Sequence, residues 1–315
     1  MRTRRNWLSR VAWVGAGGLV LFSFVLFNQA YRFTHFDAVG VALPTGQPSR
    51  LALARYALLG TPNRHPTDGP APDTIYRNIR LTAADGTRLA AWYVPVAQPR
   101  GTVALFHGYH GERAGLNVEA KGFRRMGFST LQVDFRGSGA SDGNTTSVGY
   151  EEAQDVKAAY DWVFQQNVTQ KIYLFGTSMG AVAVLRGMSQ YPAMQPNGLV
   201  LECPFASLLE ASRGRLRSLH APQEPLAHLL VFTGSLQGGF WGFNHNAVAY
   251  AQAVRVPTLL QWGEHDPRVT RQETEDIFAA LRGSKQLRFY PTAQHESYAR
   301  QAPLQWMATV VAFLR

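Results

Sequence analysis

From residue 101 onward, short apolar segments alternate with segments long enough to form helices, and this alternation limits the possible folds more than any other feature of the chain. Apolar segments of strand length lie at residues 102–107, 129–134, 171–175, 198–202, 258–262 and 286–290. Helices are predicted between and after them, at residues 114–126, 147–166, 179–190, 270–282 and 303–314. This order is typical of a parallel sheet that is covered by helices on both faces.

Two more strands precede the parallel part. Residues 78–82 and 87–94 flank Asp85-Gly86, a dipeptide that is typical of a β-hairpin turn. The sequence therefore predicts an eight-stranded, mostly parallel α/β sheet within one domain, residues 75–315. The interval 206–254 after the sixth strand is too long for a simple connection, so we expect an insertion over the carboxyl edge of the sheet.

Residues 1–31 are predicted to be a membrane segment outside this domain. Four arginines within the first ten residues precede an uncharged apolar stretch, residues 11–27. At about 1.5 Å per residue, this stretch is just long enough to cross the hydrocarbon core of a bilayer. Because positive residues resist translocation, we expect a retained single-pass anchor, with the domain on the extracytoplasmic (periplasmic) side.

Other interpretations of the amino terminus stay open. A cleaved signal peptide would need a site near Ala30, where the preceding residues are not small. Residues 3–8 also resemble a twin-arginine export signal, which would imply export of the folded protein. The apolar stretch could instead be a helix buried in the protein.

Residues 32–74 connect this segment to the domain. They contain prolines at positions 44, 48, 62, 66, 70 and 72. Such a composition resists regular structure, so we predict a stalk that is interrupted by one short helix near residues 49–59.

The charge balance and the cysteine content exclude several classes of protein. Lysine and arginine outnumber aspartate and glutamate, 31 to 21, but the excess is scattered and no nucleic-acid-binding motif accompanies it. We therefore expect a membrane surface, and no nucleic acid, as a partner. Cys203 is the single cysteine, which rules out an intrachain disulfide, and its apolar neighbours predict a buried structural thiol.

The segment GTSMG, residues 176–180, carries the sharpest chemical signal. It matches G-x-S-x-G, follows a predicted strand directly and opens a predicted helix. In this context the serine occupies a sharp turn, and the flanking glycines let strand and helix pass closely. The first amides of the helix favour developing negative charge. We therefore predict that Ser178 is a nucleophile.

Three segments together resemble the α/β-hydrolase superfamily, and within it the Bem46-like and ABHD-type serine hydrolases. They are LFHG at residues 105–108, VDFRGSGASDG at residues 133–143 and GTSMG, and ECPFAS at residues 202–207 supports them. The resemblance covers roughly residues 75–315 and leaves the anchor and stalk outside. It implies the α/β-hydrolase fold and an acyl-transfer mechanism, but it does not identify the substrate.

A serine nucleophile needs a base, and the resemblance implies His295, which follows the last predicted strand. It also implies that Asp266, in the turn after the preceding strand, orients the histidine. Glu264, in the same turn, and Glu202, after an earlier strand, are alternatives for the acid. The order serine, acid, histidine is that of α/β hydrolases.

The resemblance further implies an oxyanion hole formed by the backbone N–H groups of Met179 and Tyr109. In this family the loop histidine at position 107 and Gly108 are structural, and His110 is expected to be exposed. Asp134 and Arg136 lie in a glycine-rich stretch that resembles a structural loop rather than a phosphate loop, so we expect them to hold loops together.

Together these features predict a serine hydrolase that cleaves carboxylic esters or thioesters, without metal or organic cofactor. A membrane anchor suggests lipid-derived acyl substrates. A serine exopeptidase of the same fold is one alternative, and a noncatalytic, membrane-tethered binding or scaffold protein is another. The insertion supplies an apolar set suited to packing or to an acyl pocket: Phe205, Leu208, Leu209, Phe232, Phe240, Trp241 and Phe243.

Overall fold

A computed structural model describes residues 2–38, 49–67, 69–166 and 171–315, with side chains described from residue 12 onward. The arginine side chains near the amino terminus, and Pro44 and Pro48 of the predicted stalk, therefore lie outside the described residues. The strands are β1 (Arg77–Thr82), β2 (Arg88–Val94), β3 (Thr102–Phe106), β4 (Ser129–Val133), β5 (Ile172–Thr177), β6 (Gly198–Glu202), β7 (Thr258–Gly263) and β8 (Lys285–Tyr290).

All eight strands form one sheet in the order β1-β2-β4-β3-β5-β6-β7-β8. β1 pairs with β2 and β2 pairs with β4 in antiparallel register, and the remaining pairs are parallel. The predicted fold class is confirmed, including the hairpin, where Gly86 takes φ +89°. Because parallel strands end at the same edge, the residues after β5, β6, β7 and β8 meet there.

The helices are α1 (Arg2–Thr34), α2 (Arg50–Leu59), α3 (Asn117–Arg125), α4 (Glu152–Gln166), α5 (Met179–Gln190), α6 (Leu208–Ser218), α7 (Leu226–Gly238), α8 (Ala247–Ala251), α9 (Arg271–Ala280), α10 (Tyr298–Gln301) and α11 (Pro303–Phe313). Helices α3, α10 and α11 contact one another, and so do α4, α5, α8 and α9. Every residue of β3, β4 and β6 is buried, because these two groups cover both faces of the sheet.

One helix begins later than the sequence predicts. Residues 147–166 were expected to be helical, but Val148 and Gly149 take φ values of +58° and +102°, which no α-helix contains. The Glu152 carboxylate accepts hydrogen bonds from the backbone N–H groups of Ser147 and Gly149, so it stabilises the turn instead. Helix α4 therefore begins at Glu152.

The interval after β6 contains α6, α7 and α8, which agrees with the predicted insertion. Helix α6 begins with Ser207, whose side chain accepts a hydrogen bond from the backbone N–H of Glu210. Helix α7 has no lysine, arginine, aspartate or glutamate and packs against α1. An uncharged helix from the insertion thus lies beside the amino-terminal helix.

The segment between α1 and β1 lies against the domain where the structure describes it. Phe36 and His65 are each 4% exposed. The backbone N–H of Phe36 donates to the carbonyl of Asn144, and that of Gly139 donates to the carbonyl of Pro66. Helix α2 forms where a short helix was expected, and the described residues on either side of it contact the α/β domain.

Candidate active site

The turn after β5 holds Ser178 in a strained conformation, with φ +51° and ψ −117°. Such a backbone costs about 1–3 kcal/mol in a residue other than glycine, and surrounding structure must hold it in place. A Cβ at Gly176 would lie 2.6 Å from the Gly180 carbonyl oxygen, and one at Gly180 would lie 2.4 Å from that of Phe106. Strand, turn and helix therefore pack so closely that both positions require glycine.

Hydrogen bonds connect the three predicted catalytic side chains. The Ser178 hydroxyl lies 2.9 Å from His295 Nε2, and His295 Nδ1 lies 2.7 Å from Asp266 Oδ2. The pattern fits a neutral imidazole that carries its proton on Nδ1, donates to the carboxylate and accepts from the hydroxyl. The His295 side chain is 12% exposed and that of Asp266 is fully buried. The structure thus brings together all three residues that the sequence singled out.

The other oxygen of Asp266 is held by its own loop. Oδ1 accepts hydrogen bonds from the backbone N–H groups of Arg268 and Val269, at 2.8 and 2.9 Å. These bonds fix the direction of Oδ2. Asp266 is therefore positioned by its own loop as an acceptor for the imidazole N–H.

The surroundings of His295 alter its protonation. Burial disfavours the charged imidazolium, but the electrostatic interaction with the neighbouring Cys203, together with the hydrogen bond and charge of Asp266, outweighs burial and raises the pKa of His295 above its ordinary value. An imidazolium formed at this position is therefore stabilised.

The two alternative acids lie elsewhere. Glu202 is buried, and its Oε1 accepts a 2.7 Å hydrogen bond from the Trp306 indole N–H. Burial, followed by the nearby charge of Glu119, raises the pKa of Glu202 well above its usual value. Glu264 is exposed. The structure joins His295 to Asp266 and to neither glutamate.

The residues predicted to form the oxyanion hole border Ser178. Met179 is the first residue of α5, so its backbone N–H has no acceptor within the helix. A Cβ built at Gly108 would lie 3.4 Å from the Ser178 Cβ, so the loop that carries Tyr109 runs beside the serine. The Tyr109 hydroxyl donates to the carbonyl of Phe33 in α1, at 2.8 Å. A residue beside the serine is thus tied to the amino-terminal helix.

His107 braces this loop from inside the protein. Its Nε2 accepts from the backbone N–H of Phe135 at 3.1 Å, and its Nδ1 donates to the carbonyl of Gly108 at 2.8 Å. Burial lowers the pKa of His107 to about 4, so the ring is neutral near pH 7. The predicted structural role is confirmed.

Asp134 and Arg136 connect loops, as the sequence predicts. Asp134 is fully buried and accepts from the backbone N–H groups of Arg113 and Ala140. The Arg136 guanidinium pairs with the buried Asp155 at 2.6 Å. Both side chains are occupied in structural contacts.

Cys203 was expected to be a structural thiol, and its proximity to the site was missed. It is buried, it takes φ +40°, and it directly follows β6 at the same edge of the sheet. Among the described residues, Cys203, Asp266 and His295 form a group whose potential metal-binding atoms all lie within 4.8 Å of one another. The hydrogen bond between Asp266 and His295 already uses one such atom of Asp266 and one of His295. The signal for Cys203 that the sequence offered was its position directly after a central parallel strand.

The apolar residues of the insertion have mixed roles. Phe205 and Leu208 are buried, while Phe232 and Trp241 are about half exposed. Phe240 stacks on Tyr150 at 4.1 Å between ring centroids. The exposed members leave an apolar surface on this side of the protein.

Comparisons with known proteins agree with the architecture. The family model described as serine aminopeptidase S33 matches residues 97–231, and that of the prolyl oligopeptidase family matches residues 239–315. The uncharacterized protein Rv2307c of Mycobacterium tuberculosis is 28% identical over 239 residues, covering 73% of this chain and 78% of that protein. The α/β hydrolase domain-containing protein WAV2 of Arabidopsis thaliana is 27% identical over 185 residues, covering 57% and 59%.

Among solved structures, the Pyrococcus furiosus esterase Pf2001 superposes with a TM-score of 0.64 at 22% identity. The superposition covers 89% of this chain and 98% of the esterase. At this identity the similarity supports the fold, whereas the chemistry has to be argued from the site itself.

Proposed function

Because this chain belongs to the α/β-hydrolase superfamily, we propose that it is a serine hydrolase that cleaves carboxylic esters or thioesters through an acyl-enzyme intermediate. One observation carries the proposal, namely the hydrogen bonds that link Ser178 through His295 to Asp266. The three residues are far apart in sequence, yet they are joined in the order that acyl transfer needs. A noncatalytic scaffold would not need its serine, histidine and aspartate to be hydrogen-bonded in that order.

In the first half of the reaction, the Ser178 hydroxyl attacks the carbonyl carbon of the substrate. His295 Nε2 takes the hydroxyl proton as the new C–O bond forms. Asp266 accepts the Nδ1–H hydrogen bond throughout, so it holds the ring and stabilises the imidazolium. Together with the neighbouring Cys203, Asp266 also contributes to the raised pKa of His295.

The carbonyl oxygen becomes negatively charged in the tetrahedral intermediate. The backbone N–H groups of Met179 and Tyr109 are the proposed donors to it, and one such donor contributes roughly 2.7–4 kcal/mol to transition-state stabilisation. When the intermediate collapses, the C–O or C–S bond to the leaving group breaks, and His295 returns its proton to that group.

A water molecule then repeats the sequence. His295 takes a proton from the water, the resulting hydroxide attacks the acyl carbon, and collapse returns the proton to the Ser178 oxygen. Each step uses side chains, backbone amides and water, so the proposed mechanism requires no cofactor.

An exopeptidase is the second candidate, and the family model described as serine aminopeptidase S33 favours it. Amide and ester hydrolysis use the same triad, so the site geometry does not distinguish them. A panel of three substrates distinguishes them. Full-length protein in detergent micelles is assayed on the ester p-nitrophenyl butyrate, the thioester butyryl thiocholine and the anilide alanine p-nitroanilide.

We expect hydrolysis of the ester and the thioester, its loss in Ser178→Ala and its retention in Ser284→Ala, a control at an exposed serine. Faster hydrolysis of the anilide than of the ester would favour the exopeptidase. A folded wild-type protein that hydrolyses none of the three would favour the scaffold.

The proposed location is a membrane, with the catalytic domain on the extracytoplasmic side. Among the described residues, the segment Ala12–Thr34 is the one helix long and apolar enough to span a bilayer. The four arginines that precede it favour a cytoplasmic amino terminus.

Alkaline phosphatase fused after Arg315 should therefore be active, because this reporter folds only after export. Retention in membranes after alkaline washing would support an anchor, whereas a soluble product that begins near Tyr31 would indicate a cleaved signal. An inactive reporter in a stably expressed fusion would contradict the orientation.

A further inference from the structure

A cavity of about 500 Å³ lies between α1, α6 and α7, and we call it the helical cavity. Its volume is within the range of small-molecule binding sites. Helix α1 contributes Val25, Leu26 and Phe33 to its lining, and α7 contributes Leu230 and Val231. The amino-terminal helix is therefore one wall of a mostly apolar cavity, whose lining also includes the charged residues Arg32, Arg136, Glu151 and Arg215.

The helical cavity lies next to the proposed oxyanion hole. Phe33 lines the cavity, and its ring stacks on that of Tyr109 at 4.8 Å between centroids. Thr146 also lines it, and its hydroxyl lies 3.4 Å from the Met179 sulfur. Ser178 itself is not in the lining. Two residues of the lining thus contact the side chains of the two residues whose backbone N–H groups are proposed to bind the oxyanion.

One wall of the helical cavity belongs to the candidate membrane span. The lining residues of α1 belong to the segment Ala12–Thr34, which is long and apolar enough to span a bilayer. Helix α7 is joined to α1 by a 2.8 Å hydrogen bond from the Gln237 side-chain amide to the carbonyl of Phe27. On its outer side α7 exposes Phe232 and Leu236, which are 46% and 70% exposed. Exposed apolar side chains of this size beside a candidate membrane span are typical of a surface that contacts a membrane or a partner.

We propose that the helical cavity binds the acyl chain of a membrane lipid ester, so that α1 forms part of the substrate site and is more than an anchor. The proposal rests on the ester hydrolase function above. It commits to a lipid acyl chain because the cavity is mostly apolar, its lining contacts the side chains of Tyr109 and Met179, and the candidate membrane span forms one of its walls.

Gly234 offers a way to fill the cavity without disturbing its surroundings. It lines the cavity, and a Cβ added there would meet nothing within 4 Å. In Gly234→Leu the new side chain should occupy space that the acyl chain needs, whereas Gly234→Ala is a matched control. On the opposite wall, Val25→Phe should have the same effect, and Val20→Phe, at a position 69% exposed on the same helix, is its control.

For the full-length protein in vesicles, we expect kcat/KM for p-nitrophenyl palmitate to fall about tenfold or more in Gly234→Leu and Val25→Phe, since pocket contacts of this size change rates by that order. Hydrolysis of p-nitrophenyl acetate should fall much less, because its acyl group does not reach the cavity, so the ratio of palmitate to acetate hydrolysis should drop. Both controls should resemble the wild type. An unchanged ratio of palmitate to acetate hydrolysis in both cavity variants would overturn the proposal.

A binding measurement separates this proposal from the hydrolase function. Phosphatidylcholine with a diazirine in its acyl chain, irradiated in vesicles with the full-length protein, should label Val231, which is 2% exposed, and Gly234→Leu should lose this label. Labelling confined to the outward Phe232 and Leu236 would contradict the cavity proposal. Labelling of Val231 in a protein that hydrolyses no ester would uphold the cavity and refute the hydrolase.

Discussion

At the carboxyl edge of the sheet, Ser178, Asp266 and His295 follow strands of one sheet and are joined by directional hydrogen bonds of 2.7–2.9 Å. The helical cavity is built differently, from apolar side chains of helices that are separated by about two hundred residues in sequence. Hydrogen bonds lose strength steeply with distance and angle, whereas apolar burial scales with area. We therefore expect substitutions at the edge to abolish chemistry, and substitutions in the cavity to change substrate preference and stability gradually.

The largest loss of activity is expected for a substitution at Asp266. Asp266→Asn keeps the shape of the side chain but loses its charge and favours the wrong imidazole tautomer, so kcat should fall roughly 10⁴-fold. Glu202→Gln and Glu264→Gln, the matched controls, should retain most activity, because neither carboxyl contacts His295. Steady-state hydrolysis of p-nitrophenyl butyrate measures all three. If Glu202→Gln were inactive and Asp266→Asn active, the residue that orients His295 would be Glu202, at the end of β6.

The same variant has a consequence for pH dependence. Activity requires neutral His295, so kcat/KM falls as the pH drops through the pKa of His295 in the free enzyme. The negative charge of Asp266 helps to raise that pKa, and its removal must lower it. The acid limb of the residual activity of Asp266→Asn should therefore move to lower pH. An acid limb that stays in place would show that Asp266 does not interact with the titrating group.

An intermediate effect is expected when the wall of the helical cavity is removed. A chain lacking residues 2–34 loses Leu26 and Ala30, which are buried, whereas one lacking residues 2–21 keeps them. Burial of a leucine side chain alone contributes about 1.5–3 kcal/mol. The longer deletion should lower Tm by about 5 °C or more relative to the shorter one, as measured by thermal unfolding in detergent. Equal Tm values would show that α1 contributes nothing to the fold of the domain.

The smallest effect concerns the contact between the two regions. In Tyr109→Phe the backbone N–H proposed for the oxyanion hole remains, but the hydrogen bond from the hydroxyl to the carbonyl of Phe33 is lost. Such a bond contributes about 1 kcal/mol, so we expect acetate hydrolysis to fall no more than about fivefold. Palmitate hydrolysis should fall further if the contact aligns the cavity with the edge. Equal losses on both esters would show that this contact does not couple the helical cavity to the carboxyl edge of the sheet.

The fold and the carboxyl edge could be predicted because their signals are local. Alternation of apolar strands and helices predicted the sheet, and the G-x-S-x-G segment identified the turn at Ser178. The late start of α4 could not be foreseen, because it depends on the side chain of Glu152 capturing backbone N–H groups of the preceding turn. Periodicity does not report such competition between a side chain and a helix.

The helical cavity could not be predicted from local pattern at all. The sequence predicted a membrane anchor at the amino terminus and an apolar set of residues in the insertion, but neither segment indicates that the two pack together. The contact of Gln237 with the carbonyl of Phe27 spans 210 positions. Apolar contacts are nondirectional, so a single sequence carries little information on which surfaces will meet. The position of Cys203 beside His295 differs in this respect, because its place directly after β6 was available in the sequence.

The proposed serine hydrolase function depends on Ser178 being an activated nucleophile. A fluorophosphonate probe tests this with the full-length protein. The probe should label wild-type protein at a single peptide containing Ser178, and labelling should be lost in Ser178→Ala while Ser284→Ala is labelled normally. Labelling should also weaken in Asp266→Asn, because His295 then loses the group that orients it. Labelling that persists in folded Ser178→Ala, or its absence from folded wild-type protein, would contradict the account.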